Sequence, residues 1–175
     1  MTENEKRMRR VCFTGHRPEK LTRSENTIKR ELEKQIRQAM ADGLNVFISG
    51  MARGVDIWAA QIVLKLRNEG ADVKLICACP YKGFENGWSR EWQRQYKEIL
   101  ESADLIKYVC IDYSRACFQI RNEWMVNHAI RVIAVFNGEK GGTKNTMDYA
   151  AKIGVPVVCI RCRQDLCANL FAGSG

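Results

Sequence analysis

The sequence has no apolar run near the roughly 20 residues that a membrane-spanning helix requires. No apolar stretch follows the polar, charged residues 1–10, so no secretory leader is read there and the expected location is the cytoplasm. There is no internal repeat, low-complexity tract or linker-like stretch, which points to a single domain. Cys159 and Cys162 have zinc-knuckle spacing, but no second such pair stands elsewhere in the chain. A metal site is therefore not expected. The dinucleotide fingerprint Gly-x-Gly-x-x-Gly is also missing, as is any recognisable nucleic-acid-binding signature.

What is present has the proportions of a globular domain: 175 residues, 46% hydrophobic and 27% charged. Most of the eight cysteines lie inside apolar, strand-like runs such as Val11-Cys12-Phe13 and Ile76-Cys77-Ala78-Cys79. Free cysteine behaves as a small core residue, and a reducing compartment keeps it so. The net charge is +8, with 11 Lys/Arg against 6 Asp/Glu in residues 1–37. Such a balance suits an anionic partner, a nucleotide or a nucleic acid, or else a solvated surface.

Apolar runs and helical periodicity alternate along the chain. Strands are expected at 10–15, 46–50, 73–79, 105–111, 131–136 and 155–160. Helices are expected at 24–41, 55–68, 89–102, 118–128 and 143–152, with a last short one near 166–171. Residues 1–9 read as a flexible basic segment, 10–165 as the domain and 166–175 as a tail. Continuous apolar strands alternating with helices imply a doubly wound, mainly parallel sheet of about six strands with helices on both faces, a Rossmann-like α/β fold. Right-handed crossovers then bring every strand-to-helix loop to one rim, where such folds hold their ligands.

Those loops are rich in groups suited to phosphate. Thr14-Gly15-His16-Arg17-Pro18 offers a tight turn, a planar guanidinium and an imidazole that titrates near neutrality. Ser49-Gly50-Met51-Ala52-Arg53-Gly54-Val55-Asp56 presents backbone N–H groups at a helix start. Asp56 could cap that helix or take a ribose hydroxyl. Asn137-Gly138-Glu139-Lys140-Gly141-Gly142-Thr143, followed by Thr146, is a third glycine loop whose Gly-Gly-Thr at a helix start forms an anion cradle. Arg121, Asn122 and Glu123 open the helix after the fourth strand. Trp88 and Trp92 follow a loop rich in glycine and aromatics and could stack on a base or simply fill core.

Together these motifs resemble the YpsA-like branch of the SLOG superfamily, over roughly residues 10 to 160. That superfamily includes cytokinin-activating phosphoribohydrolases, DprA-like DNA-processing proteins and sensors of NAD-derived nucleotides. The resemblance implies a Rossmann-like fold and a nucleotide or ADP-ribose-like ligand. The phosphoribohydrolase signature Gly-Gly-x-Gly-Thr-x-x-Glu is altered here: the intervening glycine is absent and Thr146 stands where the glutamate belongs.

Three functions follow, in order. The first is binding or sensing of a nucleotide by Thr14, Gly15, His16, Arg17, Gly50, Gly54, Asp56, Arg121, Asn122, Gly141, Gly142, Thr143 and Thr146, with no further cofactor required. The second is N-glycosidic hydrolysis of a nucleotide, with His16, Asp56 or Glu123 as the acid–base group. The third is binding of single-stranded DNA, with steep salt dependence. A homo-oligomer fits such a fold, and no membrane partner is expected.

Overall fold

The computed structural model describes residues 1–162. The tail at 166–175 and its expected helix lie outside the described residues, as does Cys167. The elements are α1 (Glu3–Arg7), β1 (Arg10–Gly15), α2 (Glu25–Ala41), β2 (Val46–Ser49), α3 (Val55–Asn68), β3 (Lys74–Cys79), α4 (Arg90–Ser102), β4 (Leu105–Tyr108), α5 (Cys117–Asn127), β5 (Arg131–Phe136), α6 (Gly142–Lys152) and β6 (Val157–Arg161). All neighbouring strands pair in parallel, in the order β4-β3-β2-β1-β5-β6. This is the doubly wound, Rossmann-like sheet expected from the alternation.

Side chains alternate across each strand and fill two separate cores. Val11, Phe13, Phe47, Leu75, Cys77, Ile133 and Val135 pack in the larger one, with α2, α3 and α4. Cys12, Ile48, Ile76, Ala78, Val132 and Ala134 face the smaller one, with α5 and α6. A strand buried on both faces is apolar at nearly every position, which is why these runs show no polar alternation. Helix α3 has neighbours α2 and α4 on its flanks and the sheet beneath it. Its wide buried stripe, Ile57, Trp58, Ala59, Ala60, Ile62, Val63 and Leu66, follows from that position.

The chain departs from expectation in two places. Residues 3–7, read as part of a flexible segment, form a short helix with a capping box between Thr2 and Glu5. The fourth strand is four residues long and exposed throughout, rather than a buried run over 105–111. It lies at the edge of the sheet; beyond Tyr108 the Val109 and Cys110 N–H groups still donate to the Cys79 and Pro80 carbonyls, but Pro80 has no N–H to return and the strand ends. Among the described residues, no helix is long and apolar enough to cross a membrane. Cys12, Cys77, Cys79, Cys117 and Cys162 are buried free thiols, Cys110 is half-buried and Cys159 is exposed.

Winding sets the place of the site. From β1 the chain moves through β2 and β3 to β4, then crosses back beneath the sheet to β5 on the other side of β1. The loops after β1 and β5 therefore diverge and leave a crevice between them, the topological switch point.

Candidate functional site

A cleft of about 480 Å³ opens at this switch point. Its floor is Gly15 at the end of β1, His16 and Arg17 just after it, and Glu139 through Thr143 before and at the start of α6. Ala52 and Arg53, ahead of α3, line one side. Tyr81, Phe84, Trp88 and Phe118 make an aromatic wall.

The charge is one-sided. Arg17, Lys20, Arg53 and Lys140 face the cleft against the single carboxylate of Glu139. Glu19 holds two of these cations on the surface, at 3.2 Å from Arg53 and 3.8 Å from Arg17. Helix α6 begins at Gly142 after a glycine cap, and its first backbone bond runs from Asn145 N–H to the Gly141 carbonyl. The N–H groups of Gly142, Thr143 and Lys144 thus have no acceptor within the helix. They add the positive end of the helix to the cationic rim.

Asn137 ties two of the loops together. Its backbone N–H donates to His16 Nε2 at 3.1 Å, and its side-chain amide donates to the Lys20 carbonyl at 3.1 Å. Its side-chain oxygen accepts from the Glu139 N–H at 2.9 Å, which folds the start of the β5 loop. His16 also stacks on Phe136, with ring centroids 5.9 Å apart. Burial holds the His16 imidazole below its ordinary pKa, Lys20 lowers it further and Glu139 opposes the shift. Because Nε2 accepts, the ring is neutral with its proton on Nδ1.

A second layer lies behind the cleft. Asp56 is buried in the first turn of α3, and its Oδ2 accepts from the Ala52 N–H at 3.2 Å. Its Oδ1 is buried without a hydrogen-bond partner among the described residues. Burial pushes the carboxyl up to about 6, against the pull of Arg121 and the Ala52 bond. Arg121 is buried as well, and burial lowers its pKa. Its guanidinium donates to the Gly50 carbonyl, and its Nε donates to Asn122 Oδ1 at 2.8 Å. Gly50 is squeezed between the two charged groups: a Cβ there would lie 2.8 Å from Arg121 and 2.9 Å from Asp56. The next residue, Met51, takes a left-handed φ of 61° with its side chain fully buried, a strained turn held by its surroundings.

Of the residues singled out in the sequence, Gly15, His16, Arg17, Gly141, Gly142 and Thr143 line the cleft. Thr14, Gly50, Gly54, Asp56, Arg121, Asn122 and Thr146 are not among its lining residues. Gly54 has φ of +89°, and a Cβ on it would lie 2.8 Å from the His16 carbonyl and 2.9 Å from Pro18. Its close neighbour is the β1 loop. The Thr146 hydroxyl donates to the Gly142 carbonyl at 2.8 Å inside α6. Glu123 is away from the cleft and accepts from Gln119 at 3.2 Å. Trp92 packs against the larger core, and Trp88 does so while also lining the cleft.

Sequence reasoning placed Arg53, Asn137 and Lys140 inside the glycine loops without giving them a role, and missed Lys20, Tyr81, Phe84 and Phe118. Arg53 and Lys140 were legible as basic residues inside the two glycine loops. The aromatics carried no such signal, since nothing local distinguishes a cleft wall from core.

A family model described as the YspA SLOG family matches residues 11–155. The chain is 36% identical over 118 residues to YoqJ, an uncharacterised SPbeta prophage-derived protein of Bacillus subtilis strain 168, a match that takes in 61% of this chain and 69% of that one. It is 30% identical over 154 residues to a UPF0398 protein of Bacillus thuringiensis strain Al Hakam, covering 83% of each. Among solved structures it superposes on DNA processing protein A of Helicobacter pylori with a TM-score of 0.65 at 20% identity, covering 93% of this chain and 69% of the other. The same protein of Streptococcus pneumoniae gives 0.62 at 19% identity, covering 87% and 50%. At such identities the structural likeness is one of fold.

Proposed function

The chain belongs to the YspA SLOG family, and we propose that it binds a phosphorylated nucleotide, of mononucleotide or ADP-ribose-like chemistry, in the cleft at the switch point. One observation carries this reading: four cations, the start of α6 and four aromatic rings line the same 480 Å³ cleft. Phosphate oxygens need charge and N–H donors, whereas a base needs a flat apolar surface. The volume falls in the range of small-ligand sites.

The phosphate lies against the Gly142, Thr143 and Lys144 N–H groups, with Arg17, Arg53 and Lys140 around it. His16, fixed as a neutral ring, serves as a hydrogen-bond donor through Nδ1. Asp56, Arg121 and Asn122 shape the loops from behind rather than touch the ligand. Binding or sensing ranks above hydrolysis for a geometric reason. Of the acid–base candidates only His16 lines the cleft, and protonating its Nε2 would break the bond from Asn137.

The test is calorimetric titration with AMP, ADP and ADP-ribose, for the natural protein and for an Arg17→Ala/Lys140→Ala double variant. The expected result is saturable one-site binding, weakened about 10-fold or more in the variant, since a charged hydrogen bond is worth roughly 1.5–3 kcal/mol. Absence of binding by all three, or equal affinity in the variant, overturns the reading. Release of free base during the titration would move the assignment to hydrolysis.

A further inference from the structure

The aromatic wall does not stop at the cleft. Tyr113, in the loop between β4 and α5, is outside the lining residues but packs edge-on to Tyr81 at 5.8 Å and to Phe118 at 6.5 Å. Tyr81 in turn meets Phe84 at 6.0 Å, and Phe84 meets Trp88 at 4.8 Å. The rings thus form one unbroken strip from inside the cleft to the open surface.

Along that strip burial falls away. Trp88 and Phe84 are half-buried against the larger core, Phe118 is 38% exposed and Tyr113 is 66% exposed. A tyrosine at the outer end of the strip adds nothing to either core, and most of its surface stays in water. A ligand that extends beyond the cleft along the strip would meet this exposed ring.

We infer that Tyr113 is a second stacking position, and that the site takes a dinucleotide: one base on Trp88 and Phe84 inside the cleft, the bridging phosphate on the cationic floor, and the second base on Tyr113. This rests on the nucleotide reading above and extends it from one base to two. Charge and continuity select this occupant. The apolar strip joins a floor bearing Arg17, Lys20, Arg53 and Lys140, and a cationic groove beside successive aromatic rings is the arrangement that holds bases joined through phosphate. A purely apolar partner would not use the surplus of four cations over one carboxylate in the cleft lining.

Three probes test it by titration: AMP, diadenosine diphosphate and the 5′-phosphorylated dinucleotide pApA. Each is titrated into the natural protein, Tyr113→Ala and Tyr113→Phe. At least one two-base probe is expected to bind about 10-fold tighter than AMP, because a stacked base adds roughly that much. Tyr113→Ala should remove this advantage and leave AMP affinity unchanged, and Tyr113→Phe should keep it. Preference between the diphosphate and phosphodiester bridges tells a soluble dinucleotide from a stretch of single strand. The inference falls if both two-base probes bind no tighter than AMP, or if their advantage survives in Tyr113→Ala. If AMP itself fails to bind alongside them, the nucleotide reading falls first and takes this one with it.

Discussion

His16 and Asn137 are 121 positions apart in sequence, yet the Asn137 N–H reaches His16 Nε2 at 3.1 Å and joins the two loops that diverge at the switch point. The bond fixes the imidazole tautomer and closes the floor of the cleft in one contact.

Removing that acceptor strands a buried donor. His16→Ala is expected to destabilise the protein by about 2 kcal/mol, lowering the melting temperature by roughly 4–8 °C for a chain of this size. The pH dependence has a definite sign. The folded imidazole has a lower pKa than the unfolded one at 6.5, so its contribution is full above pH 6.5 and is lost as pH falls through the lower, folded value. Urea midpoints at pH 7.5, 6.5 and 5.5 should show the advantage of the natural protein over His16→Ala shrinking as pH falls, a difference from which the opposite contribution of Asp56 cancels.

Asp56 runs in the opposite direction. Its folded carboxyl titrates near 6 against 3.8 for the free group, so its contribution is full below pH 3.8 and is lost as pH rises through about 6. A rise of that size corresponds to roughly 3 kcal/mol. Between pH 4 and pH 7, Asp56→Asn should therefore gain stability relative to the natural protein by up to about that amount. The change with pH is the diagnostic, because a constant offset from the altered partnership with Arg121 cancels. Equal differences at the two pH values would refute a buried, raised carboxyl.

Gly54 and Gly138 share a φ of +89° but not their surroundings. Nothing lies within 4 Å of a Cβ at Gly138, whereas at Gly54 it would meet the His16 carbonyl and Pro18. Gly138→Ala should cost about 1 kcal/mol of backbone strain. Gly54→Ala should cost about 3 kcal/mol or more, since the β1 loop must also move. Thermal unfolding of the two variants side by side separates strain from collision.

Glu19 sits between Arg53 and Arg17 with about half of its side chain exposed. Such a pair adds little to stability, so Glu19→Gln should leave the melting temperature nearly unchanged. The same substitution frees both cations for a ligand phosphate. Affinity for AMP should rise about 2- to 5-fold at low salt, and the gain should shrink at high salt. An unchanged affinity would place the ligand away from this pair.

The glycine loops, the alternation of strand and helix and the apolar strands were enough to determine a parallel sheet wound in both directions, with its loops on one rim. These are local properties: hydrophobic period, breakers and caps act within a few residues. Six residues of the cleft floor were legible for the same reason, since loop glycines and a loop arginine advertise themselves.

Only the tertiary structure decided which conspicuous residues line the cleft and which stand behind it. Asp56, Arg121 and Asn122 carry the chemistry expected of a site, yet packing turns them into a buried layer around Gly50. Tyr81, Phe84, Phe118 and Tyr113 look like ordinary core or loop aromatics until two separate loops and the start of α5 bring them into one strip. Apolar character at β4 likewise promised a buried strand, and the strand order exposed it at the edge. Burial, strand order and loop-to-loop contact depend on residues far apart in the chain, so no local pattern encodes them.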